Sequence, residues 1–101
     1  MTGHDISEEI SLLNRQLPKQ LDSITTFTHA AYDHNARAVT FTYQVSGNRA
    51  LPVEEVKAGM LAEACSDFRG RYANIKTFRL IYQSKRFADA IVEFTPSDCE
   101  R

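Results

Sequence analysis

The chain has 101 residues, 43% hydrophobic and 25% charged, and this composition predicts one globular domain rather than a disordered segment. Its formal net charge of −1 at pH 7 argues against a general nucleic-acid-binding protein, which would need a strongly basic surface. No apolar run is long enough for a transmembrane helix. The opening MTGHDISEEI lacks the basic and apolar regions of a signal peptide, so we expect none within this chain, and we expect residues 1–5 to be disordered.

The segment DISEEISLLNRQL predicts a first helix over residues 5–17. The apolar residues that share one helical stripe are Ile6, Ile10, Leu13 and Leu17. Pro18 disfavours helical backbone at the residue before it, and we therefore expect the helix to end there.

A strand hairpin is predicted over residues 22–46. Its second strand alternates apolar Val39, Phe41 and Tyr43 with polar residues, which is the period of two of a half-buried strand. The first strand is rich in threonine and alternates less cleanly. Asp33 supplies turn chemistry between the two strands.

A second helix is predicted over residues 52–67, and a second hairpin over residues 74–95. Pro52 suits the first position of that helix. The predicted order is helix-strand-strand-helix-strand-strand. The simplest way to bury these apolar stripes is an α+β single domain, with a four-stranded, mainly antiparallel sheet and both helices packed on one face.

Catalytic and metal-binding patterns are missing from the sequence. The histidines are His4, His29 and His34, and no HxH, HExxH or CxxC spacing occurs. No nucleophile with a partner base, and no pair of carboxylates, is implied by spacing. We therefore expect no metal, no cofactor and no enzymatic activity.

The two cysteines, Cys65 and Cys99, leave two possibilities open on their own. They can form a disulfide, which would indicate an oxidising compartment, or both can be free thiols in a cytosolic protein.

The segment from Phe68 to Ala88 is basic and contains no acidic residue. Its basic residues are Arg69, Arg71, Lys76, Arg79, Lys85 and Arg86. The segment can be a solvated surface, or a patch for an acidic partner or an anionic membrane. Within SDFRGRY, Phe68 and Tyr72 can be core side chains, or can form an exposed aromatic pair that binds a peptide beside the arginines.

A larger pattern joins these features. The first helix is followed by LP in NRQLPKQLDSITTF, the first hairpin ends in FTYQV, and the second contains FRLIY. Cys65 lies late in the second helix and Cys99 follows the last strand. From about Ile6 to Cys99 this layout resembles small exported bacterial pilotins of type II secretion, the AspS/GspS-beta group, and related uncharacterised periplasmic domains.

The resemblance implies a disulfide between Cys65 and Cys99 and a periplasmic location, with any signal or lipoprotein segment outside this chain. A bond closing a loop of about 35 residues would contribute roughly 3–4 kcal/mol. Lipoprotein pilotins bind a short C-terminal helix of the secretin subunit and carry it to the outer membrane. This sequence departs from them because it has no lipobox and no lipidated cysteine.

The leading functional hypothesis is a non-enzymatic periplasmic adaptor or chaperone, pilotin-like, that binds the helix or tail of a protein partner such as a secretin. Its expected partner-binding residues are Leu61, Phe68, Arg69, Arg71 and Tyr72, with Cys65 beside Leu61 in the groove. The alternatives are an immunity or inhibitor-type binding protein and a small cytosolic domain. Either a monomer or a dimer is compatible with the sequence.

Overall fold

A computed structural model describes residues 6–47, 50–70 and 72–100, and the predicted disorder of residues 1–5 lies outside these ranges. The helices and strands are α1 (Ile6–Asn14), β1 (Lys19–Gln20), β2 (Thr25–Asp33), β3 (Ala38–Val45), α2 (Val53–Arg69), β4 (Thr77–Gln83) and β5 (Ala90–Phe94), followed by a 3-10 helix (Pro96–Cys99). Within these ranges no helix is both long and apolar enough to cross a membrane.

The strands form one sheet in the order β1-β2-β3-β4-β5. Neighbours are antiparallel, except that β3 and β4 run parallel and are connected through α2. The α+β class and the two-helix arrangement are confirmed. The predicted four-stranded, mainly antiparallel sheet is corrected to a five-stranded mixed one. The added strand, β1, has two polar residues and is too short to show a strand period.

Both helices lie against the same face of the sheet. Ile10 of α1 and Ala64 and Phe68 of α2 are buried in one cluster with the inward side chains of the strands. Those inward, buried strand residues are Phe27, Ala30, Val39, Tyr43, Phe78, Leu80, Val92 and Phe94. Packing differs along the sheet, because α1 packs mainly on β2 and α2 mainly on β5. Each large apolar side chain buried here contributes about 1.5–3 kcal/mol relative to exposure.

A β-bulge explains the irregular pattern of the first long strand. Phe27 pairs with Tyr43, but the next pair joins His29 to Thr42, so Thr28 is an extra residue in β2. The Thr28 hydroxyl donates to the carbonyl of Thr42 at 3.1 Å. Since the bulge shifts the inward position by one residue, Phe27 and Ala30 both face the core although they are three residues apart.

The first helix ends at Asn14, three residues earlier than the sequence predicts. The amide of Asn14 turns toward the backbone of Ala30, and the chain then passes through a cis peptide bond between Leu17 and Pro18. These residues lead directly into β1.

Candidate functional site

A cleft opens beside α2, above the central strands of the sheet. It has a volume of about 140 Å³ and is lined by Phe41, Tyr43, Met60, Glu63, Ala64, Asp67, Phe78, Leu80 and Phe94. The position follows from the packing of the helices. Because α1 lies on β2 and α2 on β5, Phe41 of β3 is only partly covered, whereas its neighbours Val39 and Tyr43 are buried.

Aromatic rings form the floor of this cleft. Phe41 meets Phe78 edge to face, with ring centroids 5.1 Å apart. Tyr43 stacks on Tyr82 at 4.9 Å with an interplanar angle of 15°. Such pairs are rigid, because each ring is held by its neighbours on the adjacent strand. The floor is therefore a preformed apolar surface.

The chemistry of the cleft is neutral at its base and acidic at its edge. Burial raises the pKa of both Tyr43 and Tyr82, so both phenols are uncharged at neutral pH. The Tyr82 hydroxyl donates to Sδ of Met60 at 3.6 Å, which fixes the methionine on the wall. Glu63 is exposed at the rim, and Asp67 lines the same side. Over the described ranges no cluster of three or more His, Cys, Asp or Glu side chains could hold a metal ion.

A disulfide joins Cys65 of α2 to Cys99 of the 3-10 helix, with Cα atoms 5.7 Å apart. Cys65 is buried, on the side of α2 that meets the C-terminal segment. The segment after β5 is also held by polar contacts. The backbone N–H of Thr95 donates to Asp98 at 2.8 Å, and Lys57 lies 3.5 Å from the other carboxylate oxygen of Asp98. The disulfide thus fastens the end of the chain to the helix that forms the cleft wall.

Two solved structures share this architecture over nearly the whole chain. The pilotin EpsS of the Vibrio vulnificus type 2 secretion system matches with a TM-score of 0.65 and 17% identity, covering 94% of this chain and 88% of the pilotin. The type II secretion pilotin AspS from Vibrio cholerae matches with a TM-score of 0.59 and 22% identity, covering 92% and 87%. This chain has the pilotin fold. No protein-family model and no curated sequence matches it.

The residues that the sequence proposed for binding lie in different environments in the structure. Phe68 and Tyr72 are 9% and 3% exposed and belong to the core, and the ring of Tyr72 lies 5.8 Å from that of Phe78. This is the core alternative that the sequence also allowed. Arg69 is exposed in the last turn of α2, and Arg71 lies outside the described residues.

Leu61 does not line this cleft. It lines a separate depression of about 230 Å³ with Glu54, Lys57, Ala58 and Asp98, beside the 3-10 helix. The adjacent residue, Met60, faces the cleft instead. The binding residues expected from the sequence did not include Met60. The sequence feature that could have indicated it is a methionine, whose flexible side chain adapts to different ligands, on the same apolar stripe of the helix as Ala64 and Phe68.

Proposed function

We propose that this protein is a non-enzymatic periplasmic adaptor that binds an amphipathic helix of a partner protein, in the manner of a pilotin. The observation that carries the proposal is the pair of half-buried apolar side chains, Phe41 and Met60, in the cleft of a pilotin fold. The proposed partner is a secretion-system subunit, with the C-terminal helix of a secretin as the first candidate.

The shape and chemistry of the cleft support a helix as the ligand. Helix-in-groove binding requires a rigid apolar groove that receives side chains spaced three and four residues apart. Phe41 and Tyr43 alternate along β3 on the floor, and Met60 and Ala64 are one turn apart on the wall. Tyr43 and Ala64 are buried, so an apolar side chain of a docked helix would contact the half-buried Phe41 and Met60.

The charge at the rim of the cleft indicates which kind of partner helix would bind there. Glu63 of α2 is exposed at the edge of the cleft and places a carboxylate there. A partner helix with Lys or Arg beside its apolar stripe would complement this edge. The sequence led us to expect that Arg69 and Arg71 would bind an acidic partner. In this proposal the rim of the cleft is acidic and the partner helix is basic.

The disulfide supports the proposed location. Cytosolic reductants keep thiols reduced, whereas a periplasm permits stable disulfides. The Cys65–Cys99 bond fits a protein that folds outside the cytosol.

The proposal is tested by the affinity for a fluorescent peptide that spans the C-terminal helix of the secretin from the same organism. Met60→Ala removes the cleft wall and should weaken binding roughly tenfold, a loss typical of a central contact residue. Leu61→Ala is the matched control, because it shortens the neighbouring side chain, which does not line the cleft, and it should leave affinity unchanged.

Two charge-reversal variants test the role of the rim. Glu63→Lys reverses the charge at the rim of the cleft and should weaken the binding of a basic helix severalfold. Glu54→Lys makes the same change away from the cleft and should leave the affinity unchanged. The native fold of each variant is checked by its thermal unfolding curve. If Leu61→Ala or Arg69→Glu abolished binding while Met60→Ala and Glu63→Lys did not, the cleft would be excluded as the binding site.

A further inference from the structure

One end of the sheet collects exposed apolar side chains. In the described part of the chain the exposed large hydrophobic residues are Leu12, Leu21, Ile24, Phe87 and Ile91. Three of them, Leu21, Ile24 and Phe87, lie in loops at the end of the sheet where β2 begins and β4 finishes. We call this end, consisting of Leu21, Ile24, Lys85, Arg86 and Phe87, the sheet tip.

Strand register and hydrogen bonds bring these loops together. Thr25 at the start of β2 pairs with Val45 at the end of β3. The N–H of Leu21 donates to the carbonyl of Thr25, and the N–H of Ser46 donates to the carbonyl of Ile24, both at 2.9 Å. The loop before β2 is therefore fixed against the end of β3 and Ser46.

The hairpin between β4 and β5 completes the tip. Gln44 pairs with Gln83, the last residue of β4, so this hairpin turns at the same end of the sheet. Its residues Ser84, Lys85 and Arg86 share a surface depression with residues 44–47. Phe87 follows them and is 37% exposed.

The tip combines apolar side chains with exposed cations. Lys85 and Arg86 are both exposed and directly precede Phe87. Among the described residues, three carboxylates also belong to this end. Asp22 accepts the N–H groups of Ile24 and Thr25 at 2.9 and 2.8 Å and is thereby engaged in its turn. Asp89 adjoins β5, and Glu55 lines a depression of about 550 Å³ beside Ile24. The turn that carries Phe87 thus holds two cations, Lys85 and Arg86, and one carboxylate, Asp89.

We propose that the sheet tip docks onto an anionic lipid surface. Exposed aliphatic and aromatic side chains on protruding loops can enter the boundary between headgroups and acyl chains, and adjacent Lys and Arg pair with anionic headgroups. The tip is built from loop ends, which favours a flat lipid surface over the insertion of a peptide. The interpretation of the basic segment as a membrane-facing patch is thereby restricted to its Lys85–Arg86 portion.

This inference does not depend on the proposed function. The tip adjoins the start of α2, whereas the cleft lies along its second half, beside Met60 and Glu63. A molecule bound to lipid through the tip would leave the cleft open to a partner helix.

The test is flotation of the full chain with vesicles of phosphatidylcholine alone and with vesicles that also contain phosphatidylglycerol. We expect binding to the anionic vesicles only, and its loss at high salt. The double variant Lys85→Glu/Arg86→Glu should reduce the bound fraction roughly tenfold or more. Phe87→Ser should also reduce it, even with the charges intact.

Matched controls are available at other surfaces of the molecule. Leu12→Ser replaces an apolar residue on α1 that is exposed, as Phe87 is. Lys76→Glu reverses the charge of an exposed lysine at the opposite end of the sheet. Both should bind as the unmodified protein does. The proposal is overturned by equal binding to neutral vesicles, by no binding, or by equal losses in the controls. The molar mass of the unmodified protein and of the tip variants is also measured by light scattering. If the variants differ from the unmodified protein in molar mass and no protein binds vesicles, the tip is a protein–protein contact and the proposal is overturned.

Discussion

The side-chain amide of Asn14 pairs with the backbone of Ala30 as a neighbouring strand would. Its Nδ2 donates to the carbonyl of Ala30 at 2.6 Å, and the N–H of Ala30 donates to its Oδ1 at 2.9 Å. Strand β1 pairs only with Thr26 and Phe27, so Asn14 occupies edge groups of β2 that β1 does not reach. One side chain both anchors α1 and shields part of the sheet edge.

Replacing Asn14 should therefore destabilise the protein more than its partial exposure suggests. Asn14→Ala leaves a donor and an acceptor of the Ala30 backbone without these partners, and we expect a loss of about 1–3 kcal/mol in the free energy of unfolding. Urea titration measures this loss. Gln16→Ala, at an exposed position just beyond the same helix, is the control and should change stability by less than about 0.5 kcal/mol. Equal effects of the two substitutions would contradict this role of Asn14.

Local periodicity predicted most of the sheet because one face is buried. Val39, Phe41 and Tyr43 alternate without interruption, so β3 was recognisable from sequence. The bulge at Thr28 breaks the same period in β2. The parallel pairing of β3 and β4 depends on which edge of the first hairpin receives the second, and side-chain alternation does not encode that choice.

The cleft was less predictable than the fold. Phe41 and Met60 are both apolar residues on inward stripes, and periodicity assigns both to the core. They line a cleft because the two helices pack on different strands, β2 and β5, which leaves Phe41 in the middle of the sheet only partly covered. That arrangement is set by long-range packing. Phe68 and Tyr72 illustrate the opposite case, since their arginine neighbours suggested a surface while their rings are buried.

Reduction of the Cys65–Cys99 bond should lower stability substantially. The cysteines are 34 positions apart, and in the chain-entropy model closing a loop of this size contributes about 4 kcal/mol. Urea unfolding with and without reductant measures the difference. The double variant Cys65→Ala/Cys99→Ala should be insensitive to reductant and resemble the reduced protein.

The redox state itself is checked by intact mass after alkylation of protein never exposed to reductant. A mass about two daltons below that of the reduced chain, with no alkylation, is the expected result for one disulfide. Alkylation of both cysteines would contradict the bond and remove the main support for a periplasmic location.

Acid should weaken the attachment of the C-terminal segment through Asp98. The N–H of Thr95 lowers the pKa of this carboxyl, and the ammonium group of Lys57 lowers it further. A lowered folded-state pKa gives stability that is present above the unfolded pKa, about 3.9, and is lost as the pH falls through the folded value. The stabilising contribution of Asp98 should therefore be complete at pH 7 and decrease as the pH falls below about 4.

Asp98→Asn isolates this contribution. We expect the variant to be less stable than the unmodified protein at pH 7, and the difference between their free energies of unfolding to shrink as the pH is lowered toward about 3. Asp22 also has a lowered pKa, chiefly through the N–H of Ile24, but it is present in both proteins and cancels from the comparison. Asp89→Asn removes an exposed carboxylate at the far end of β5 and serves as the control. A difference between the Asp98 variant and the unmodified protein that stayed constant from pH 7 to pH 3 would show that the ionised carboxylate does not stabilise the attachment.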